Sequence, residues 1–355
     1  MRVAFYAPLK PPDHPTPSGD RRVARLLMDA LKASGHAPVL ASRFRSRDAD
    51  GDVGGGIEAK GALEAAACIE RLKTDPPAAW LTYHLYYKAP DWIGPPVARA
   101  LGIPYIVAEA SVAPKRASGR FARGHRASVD ALGQAAAVLA LSRLDMECLE
   151  PVTRKLHHFP PFLDAGPFVV PRARNDPPEL LAVGMMRADA KLRSYLLLAA
   201  ALTRIADRRW RLRIVGDGVA RPEVERAFAP LGDRVAFHGS AEPDEMPALY
   251  AASDLLVWPA VDEAFGMVLL EAQAAGTPVI AGGYGGVPEI VADGVGGLVA
   301  PPGDVAAFAQ GVSALLDDPD RRRAMGIAAR AHIRDHHDLP EAARRLDAIL
   351  AAVTR

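Results

Sequence analysis

Cysteine is scarce: the 355 residues contain two, Cys68 and Cys148, each alone in helix-like, Ala/Leu-rich surroundings. That excludes a disulfide framework, and neither has metal-ligand spacing around it. Both read as reduced core residues of a cytoplasmic protein. An excess of charge is lacking too: a formal net charge of +1 selects neither nucleic acid nor an acidic substrate. No apolar run reaches the ~20 residues that a spanning helix needs, and the apolar stretch in "MRVAFYAPLKPPDHPTP" is too short for a signal peptide. The expected location is the cytoplasm, with peripheral attachment to the inner face of the membrane as the furthest departure from it. The usual phosphate-binding glycine signatures are missing. There is no GxxxxGK[ST], which removes a P-loop. Neither "GDG" at 216–218 nor "GGYGG" at 282–286 places GxGxxG between a domain's first strand and first helix. "DADGD" at 48–52 begins like a DxD site or a calcium loop. Val53 and Ala59 stand where a calcium loop needs Gly and Glu, so a solvated loop is expected.

What is present is apolar and rhythmic. Half of the residues are apolar, enough to bury a sizeable core in a chain long enough for two domains. Through residue 160 there are 22 Lys/Arg against 16 Asp/Glu, and 21 against 26 in the remainder, so one half is basic and the other acidic. The first half reads as strand "RVAFYA", a proline-rich loop, helix "RRVARLLMDALKASG" and strand "APVLAS", followed by apolar segments "AWLTYH", "PYIVAEA" and "AAVLALS". A Pro/Asp/Gly-rich stretch at 157–178 reads as a linker. The rhythm then restarts with "ELLAVG", helix "SYLLLAAALTRIAD" and strands "WRLRIVGDG", "RVAFHG", "DLLVWPA" and "PVIAGG". Strand–helix alternation implies α/β architecture with parallel sheets covered by helices. Sites in such sheets lie at the carboxyl ends of strands, here also in the cleft between two domains.

The segment "EAFGMVLLEAQAAGTPVIA" at 263–281 carries the most information. Its helix begins near Gly266 or Met267 and stops at Gly276. Glu263 then sits in the loop at a strand's carboxyl end and Glu271 little more than one turn into the helix. Amides at Phe265 to Val268 point to the same place, with the positive end of the helix dipole behind them, and suit an anion such as phosphate. Glu263 also fits as a helix-start residue and Glu271 as a surface glutamate. Yet "MVLLEAQAA" offers Glu271 almost no polar face, so it needs a partner such as hydroxyls.

Glu263-x7-Glu271 within "SDLLVWPAVDEAFGMVLLEAQAAGTPVIAGGYGGVPEIVADGVGGLVAPPGD" resembles the signature of family 4 retaining glycosyltransferases of the GT-B fold. That fold implies two doubly wound Rossmann-like domains facing across a cleft: 1–160 on the acceptor side, with helix 338–355 packing back on it, and 178–335 binding the nucleotide sugar. The resemblance implies that Glu271 holds ribose hydroxyls, Glu263 the transferred sugar, and Phe265, Gly266, Met267 and Val268 the sugar and diphosphate. In "LLAVGMMRADAKLRSY", Arg187 and Lys191 resemble the cation pair that neutralises the departing diphosphate in place of a metal. Arg187 is three residues after Gly184 instead of one, and Leu192 replaces the usual glycine.

In the first half, "PSGDRRVARLLMDALKASGH" resembles the family's glycine loop, with Ser18 and Gly19 approaching donor diphosphate or acceptor. His84 ends the strand of "WLTYHLY", where relatives often carry a site histidine; a structural turn residue is the equal alternative. Glu109 of "IPYIVAEAS" stands near the position of a TxHG histidine and implies a carboxylate on the acceptor side. "KRASGRFARGHR" at 115–126, with five Lys/Arg, reads either as a solvated flexible loop or as a contact for anionic lipid or phosphorylated acceptors. The implied activity is metal-independent, retaining transfer from a nucleotide-diphosphate sugar, a co-substrate, to a carbohydrate or lipid-linked hydroxyl, with no cofactor and no nucleic acid. A sugar-nucleotide epimerase of the same fold and a non-catalytic nucleotide-sugar-binding scaffold stay open as alternatives.

Overall fold

The computed structural model describes residues 1–16, 18–52 and 54–355; Pro17 of the proline-rich loop and Val53 of the acidic loop lie outside it. The chain divides into two compact units, Met1–Pro160 with Leu339–Arg355, and Pro161–Asp338.

The first unit alternates strand and helix from the start: β1 (Arg2–Tyr6), α1 (Gly19–Ala33), β2 (Ala37–Leu40), α2 (Gly56–Leu72), β3 (Ala79–Leu85) and α3 (Gly94–Leu101). It continues through β4 (Tyr105–Ala110), α4 (Ala122–Gln134), β5 (Ala137–Ala140), α5 (Arg143–Leu149) and β6 (Leu156–His158). Its strands form one parallel sheet in the order β2-β1-β3-β4-β5-β6. Helices cover both faces of such a sheet, which is why Val3–Tyr6 and Ala137–Ala140 are apolar without alternation and fully buried. Helix α1 starts where Ser18 accepts a hydrogen bond from the Arg21 amide at 3.2 Å, and it buries Ala24, Leu27 and Leu31 at helical spacing. A buried carboxylate braces β3 against β4. Asp91 accepts from Thr82 Oγ1 and Tyr105 Oη at 2.5 and 2.9 Å and from the amides of Ile93 and Gly94.

The second unit runs β7 (Glu179–Val183), α6 (Ala190–Thr203), β8 (Arg211–Val215), α7 (Arg221–Phe228), β9 (Val235–Gly239), α8 (Met246–Ala251) and β10 (Leu255–Trp258). Then come α9 (Met267–Ala274), β11 (Val279–Gly282), α10 (Val287–Ile290), β12 (Gly297–Ala300), α11 (Val305–Asp317) and α12 (Pro319–His336). The parallel sheet order is β12-β11-β10-β7-β8-β9. The last helix, α13 (Leu339–Val353), belongs to the first unit. It packs on α1 through Ala342, Ala343, Leu346 and Leu350, and Asp347 Oδ1 lies 3.0 Å from His36 Nε2.

Three expectations need correction. Cys148 is exposed, because α5 buries only Leu149 and turns the preceding position outward; Cys68 is buried, and that burial pushes its thiol up to about 11. The stretch read as a linker begins inside β6, a three-residue, half-buried edge strand in which only Leu156 is apolar. The basic segment is not a plain loop. It forms two short 3₁₀ turns and the start of α4, with the guanidinium carbons of Arg116 and Arg120 at 5.3 and 4.9 Å from the Phe121 ring centroid and Arg123 paired with Glu58. In the acidic loop, Asp52 accepts from the Ile57 and Glu58 amides at the start of α2.

Candidate functional site

The sheet order of the second unit reverses between β7 and β10, so the chain leaves these adjacent strands in opposite directions. Residues following the two strands therefore meet at one crevice. After β7, Asp189 caps α6, its Oδ1 accepting from the Lys191 amide at 2.9 Å. After β10, the loop at 259–266 leads into α9. Lys191 Nζ donates to Glu263 Oε2 across the crevice and stands 5.4 Å from the Trp258 ring centroid. The side chains of both are about four-fifths covered, at 22% and 19% exposure. Two more contacts fasten the same elements: Arg193 pairs with Asp262 at 2.5 Å, and buried Ser194 Oγ accepts from the Val261 amide at 2.9 Å. Arg187, by contrast, is exposed on the loop, its Nη2 3.7 Å from Met185 Sδ.

The loop that holds Glu263 is conformationally costly. Ala260 and Asp262 adopt φ of 54° and 50°, in the left-handed region that non-glycine residues avoid. Gly285 braces it from the "GGYGG" turn: at φ +51°, a Cβ there would stand 2.4 Å from the Glu263 carbonyl oxygen. Its neighbour Gly286 donates its amide to Ala264 O at 2.6 Å. The glycines dismissed as a dinucleotide loop thus support the Glu263 loop, a role legible only once the two loops are adjacent.

Helix α9 begins at Met267 behind Gly266, which holds φ 76°, no side chain caps it, and it follows directly on the loop that carries Glu263. Phe265, Met267 and Val268 are partly buried with their side chains against the core. Glu271 is 3% exposed and accepts from Tyr250 Oη at 2.7 Å. The hydroxyl partner that its apolar helix demands includes one from the protein itself.

The first unit has its own reversal, between β1 and β3. There His84, the penultimate residue of β3, stands at φ 64° and Glu109 near the end of β4 at φ 59°. These two, with Ala260 and Asp262, are the non-glycine residues of positive φ among the described residues. His84 Nδ1 lies 3.2 Å from Asp20 Oδ1 and 3.5 Å from Glu109 Oε1, close enough to pair but not aligned for a hydrogen bond. Burial alone would lower His84; contact with Asp20 and the charges of Glu109 and Asp20 outweigh it, and the imidazole is raised above its ordinary value. Burial raises Glu109, while contact with His84 lowers Asp20. Asp20 was not singled out by sequence, where it reads as an ordinary first-turn acid of α1. Ser18 Oγ serves as the α1 cap, and a Cβ on Gly19 would meet no atom within 4 Å, so no close approach requires that glycine. His84 and Glu109 are thus brought together in the first unit, and Lys191, Glu263 and the start of α9 in the second.

Two six-stranded parallel sheets with polar clusters at their reversal points define the GT-B class. Solved structures that cover nearly the whole chain share the fold. Sucrose-phosphate synthase from Thermosynechococcus elongatus aligns over 99% of this chain and 98% of its own at TM-score 0.75 and 21% identity. The Anabaena HepE protein in complex with UDP aligns over 99% and 100% at TM-score 0.75 and 18% identity. Within that class, residues 177–318 match the family described as Glycosyl transferases group 1, over the segment that contains Glu263 and Glu271. The D-inositol 3-phosphate glycosyltransferase of Streptomyces griseus is 38% identical over 153 residues, 40% of this chain and 32% of its own length. The alpha-D-kanosaminyltransferase of Streptomyces kanamyceticus is 35% identical over 153 residues, 42% and 39% respectively. The match spans about a third of these relatives' length. Among the described residues, no helix is long and apolar enough to cross a membrane.

Proposed function

We propose that this chain is a retaining glycosyltransferase that moves a sugar from a nucleoside-diphosphate sugar to a hydroxyl of a glycan, glycolipid or small molecule, without a metal. The observation that carries this reading is the Lys191–Glu263 pair at the β7/β10 reversal beside the start of α9. A cation, helix amides and a carboxylate in one crevice suit a sugar diphosphate: the first two attract phosphate oxygens, and the third accepts from sugar hydroxyls. Glu271 is assigned to the ribose, beside its Tyr250 contact, and exposed Arg187 to the diphosphate once it arrives. The Anabaena HepE protein has been solved in complex with UDP and with UDP-glucose, which supports the donor class.

In this mechanism the bond between the anomeric carbon and the diphosphate oxygen breaks. The new bond forms on the same face, and the acceptor's proton passes to the departing diphosphate oxygen. Lys191, Arg187 and the α9 amides stabilise the charge that develops there. The acceptor is assigned to the first unit, where Asp20 and Glu109 accept from hydroxyl or amine donors beside His84. Lys115 and Arg126, with their basic neighbours, are the proposed contact for an anionic membrane surface. The deciding experiment screens nucleoside diphosphates by thermal shift, then assays the matching sugar donors for release of nucleoside diphosphate with and without acceptor hydroxyls. A diphosphate-dependent shift without sugar release would leave the scaffold reading in its place, and a donor whose sugar is epimerised would favour the epimerase.

A further inference from the structure

The opposite edge of the second unit's sheet holds a different site. The segments entering β7, β8, β10 and β11 at their amino ends line a cavity of about 1120 Å³ together with α12. A parallel sheet directs its donor chemistry to the carboxyl ends of its strands, so this cavity is separate from Lys191 and Glu263. Arginine dominates its lining. Arg208 and Arg209 are paired with Asp317 and Asp176. Arg172, Arg322 and Arg330 are different, since each is partly or wholly buried and donates only to uncharged oxygens. Arg330 Nη2 bonds Ala275 O at 2.7 Å, Arg322 Nη1 bonds Leu315 O at 2.6 Å, and Arg172 bonds Ser253 O at 2.7 Å and the Thr277 hydroxyl.

Holding carbonyls at the ends of helices accounts for one or two N–H groups of each guanidinium, which carries five. It leaves the charges themselves largely uncompensated, because a helix terminus offers about half a charge. Arg330 Nε is buried with no hydrogen-bond partner, a costly state that an acceptor in the cavity would relieve. Burial lowers Arg172, Asp254 partly opposes it, and the nearby Arg330 and Arg322 lower it further, the signature of cations crowded together. Exposed Arg174 adds charge at the rim, where Arg323 also stands, paired with Asp320 at 2.8 Å. Guanidiniums converging on one concavity match the bidentate geometry of phosphoryl oxygens.

We infer that the arginine-lined cavity at the amino edge of β7, β8, β10 and β11 binds a compact polyphosphorylated anion, independently of the sugar-donor crevice. Inorganic tripolyphosphate is the probe, and isothermal calorimetry on the full chain carrying Lys191→Ala and Arg187→Ala keeps the donor crevice from answering for it. About one equivalent should bind, more weakly as salt rises. Arg330→Gln should weaken it at least about tenfold, the worth of one charged hydrogen bond. The rim variant Arg174→Gln/Arg323→Gln touches none of the carbonyl-holding arginines and should weaken binding at least about threefold by lost charge alone. That second variant decides the matter if Arg330→Gln fails to fold. An absence of binding in the donor-crevice variant, or equal affinity with and without the rim arginines, would overturn the proposal.

Discussion

Lys191 and Glu263, 72 positions apart, are hydrogen-bonded to one another across the β7/β10 reversal. The pair makes the cation's charge partly internal until a stronger anion arrives. Under the proposed function a diphosphate has to compete with Glu263 for the ammonium or share it, and the two variants of the pair should then move nucleoside diphosphate affinity in opposite directions. Lys191→Ala should cost about 10²- to 10³-fold in turnover, the usual loss when one donor to a developing oxyanion is removed. Glu263→Gln should hold or tighten nucleoside diphosphate affinity because it releases Lys191, while lowering turnover about 10- to 100-fold through the lost sugar contact. Steady-state kinetics beside calorimetric titration of UDP, which lacks the sugar, separates the two. A parallel fall in UDP affinity in both variants would refute the division of roles.

Tyr250 and Glu271 yield a prediction about stability as well as binding. The carboxylate is buried, and the Tyr250 hydroxyl is one of its partners at 2.7 Å. Tyr250→Phe should therefore cost about 1–3 kcal/mol in folding stability, the price of depriving a buried carboxylate of a donor. Glu271→Gln can still accept from Tyr250 and should lose less stability but more UDP affinity. Urea unfolding and UDP titration of both variants check the crossing pattern.

The architecture was legible because fully buried parallel strands are uninterrupted apolar runs, and helices of α1's kind show caps and spacing in one dimension. The misses share a cause. β6 and β12 are edge strands of three and four residues, too short and too weakly buried to stand out from the Pro/Gly-rich sequence around them. Glu263 and Glu271 could be singled out because a fixed spacing along one loop and the helix that follows it carries their relation. Asp20, Tyr250 and Gly285 could not, since each gains its role from a residue brought near by the fold: His84, Glu271 and Glu263. Arg187 and Lys191 looked equivalent as a pair of charges four positions apart. The helix start buries one against Glu263 and leaves the other in solvent.

The His84 cluster should make stability fall as pH rises. His84 is raised by Asp20 and Glu109 against burial, and Glu109 is raised by burial. For both, the folded state binds more protons than the unfolded one between the ordinary and the raised value, so each contribution is full below the ordinary value and disappears above the raised one. Starting near the ordinary carboxylate value of 4.5, stability should decline with pH until His84 has lost its proton above its ordinary 6.5. Asp20, lowered by His84, acts oppositely, below its ordinary 3.8. Urea unfolding measured across pH should show a decline that His84→Asn and Glu109→Gln each flatten. Stability that stays level in the parent, or declines equally in both variants, would sink this assignment.

A proposed leaving group stabilised by Lys191, Arg187 and helix amides requires no divalent ion. Turnover should stay within about twofold in excess chelator. Loss under chelation, with rescue by magnesium or manganese, would transfer the diphosphate's charge compensation to a metal and reopen Asp48 and Asp50 as its ligands.

Gly285 offers the sharpest test of whether the loop geometry matters apart from its charges. The residue carries no chemistry, but its φ of +51° disfavours any side chain, and a Cβ would press within 2.4 Å of the Glu263 carbonyl and 2.9 Å of the Ala264 carbonyl. Backbone atoms cannot swing aside as a flexible side chain would. Gly285→Ala must therefore either flatten its own turn or push the Glu263 loop toward α6, breaking the Gly286–Ala264 hydrogen bond. The left-handed conformation alone should cost about 1–2 kcal/mol. Turnover should fall further than that loss of stability explains, because a displaced Glu263 no longer meets both Lys191 and the sugar proposed for it. Kinetics at a temperature where the variant remains fully folded by circular dichroism make the comparison. A variant that loses stability yet keeps parental turnover would mean that the brace serves the fold alone, and that Glu263 reaches the sugar whatever the conformation of its loop.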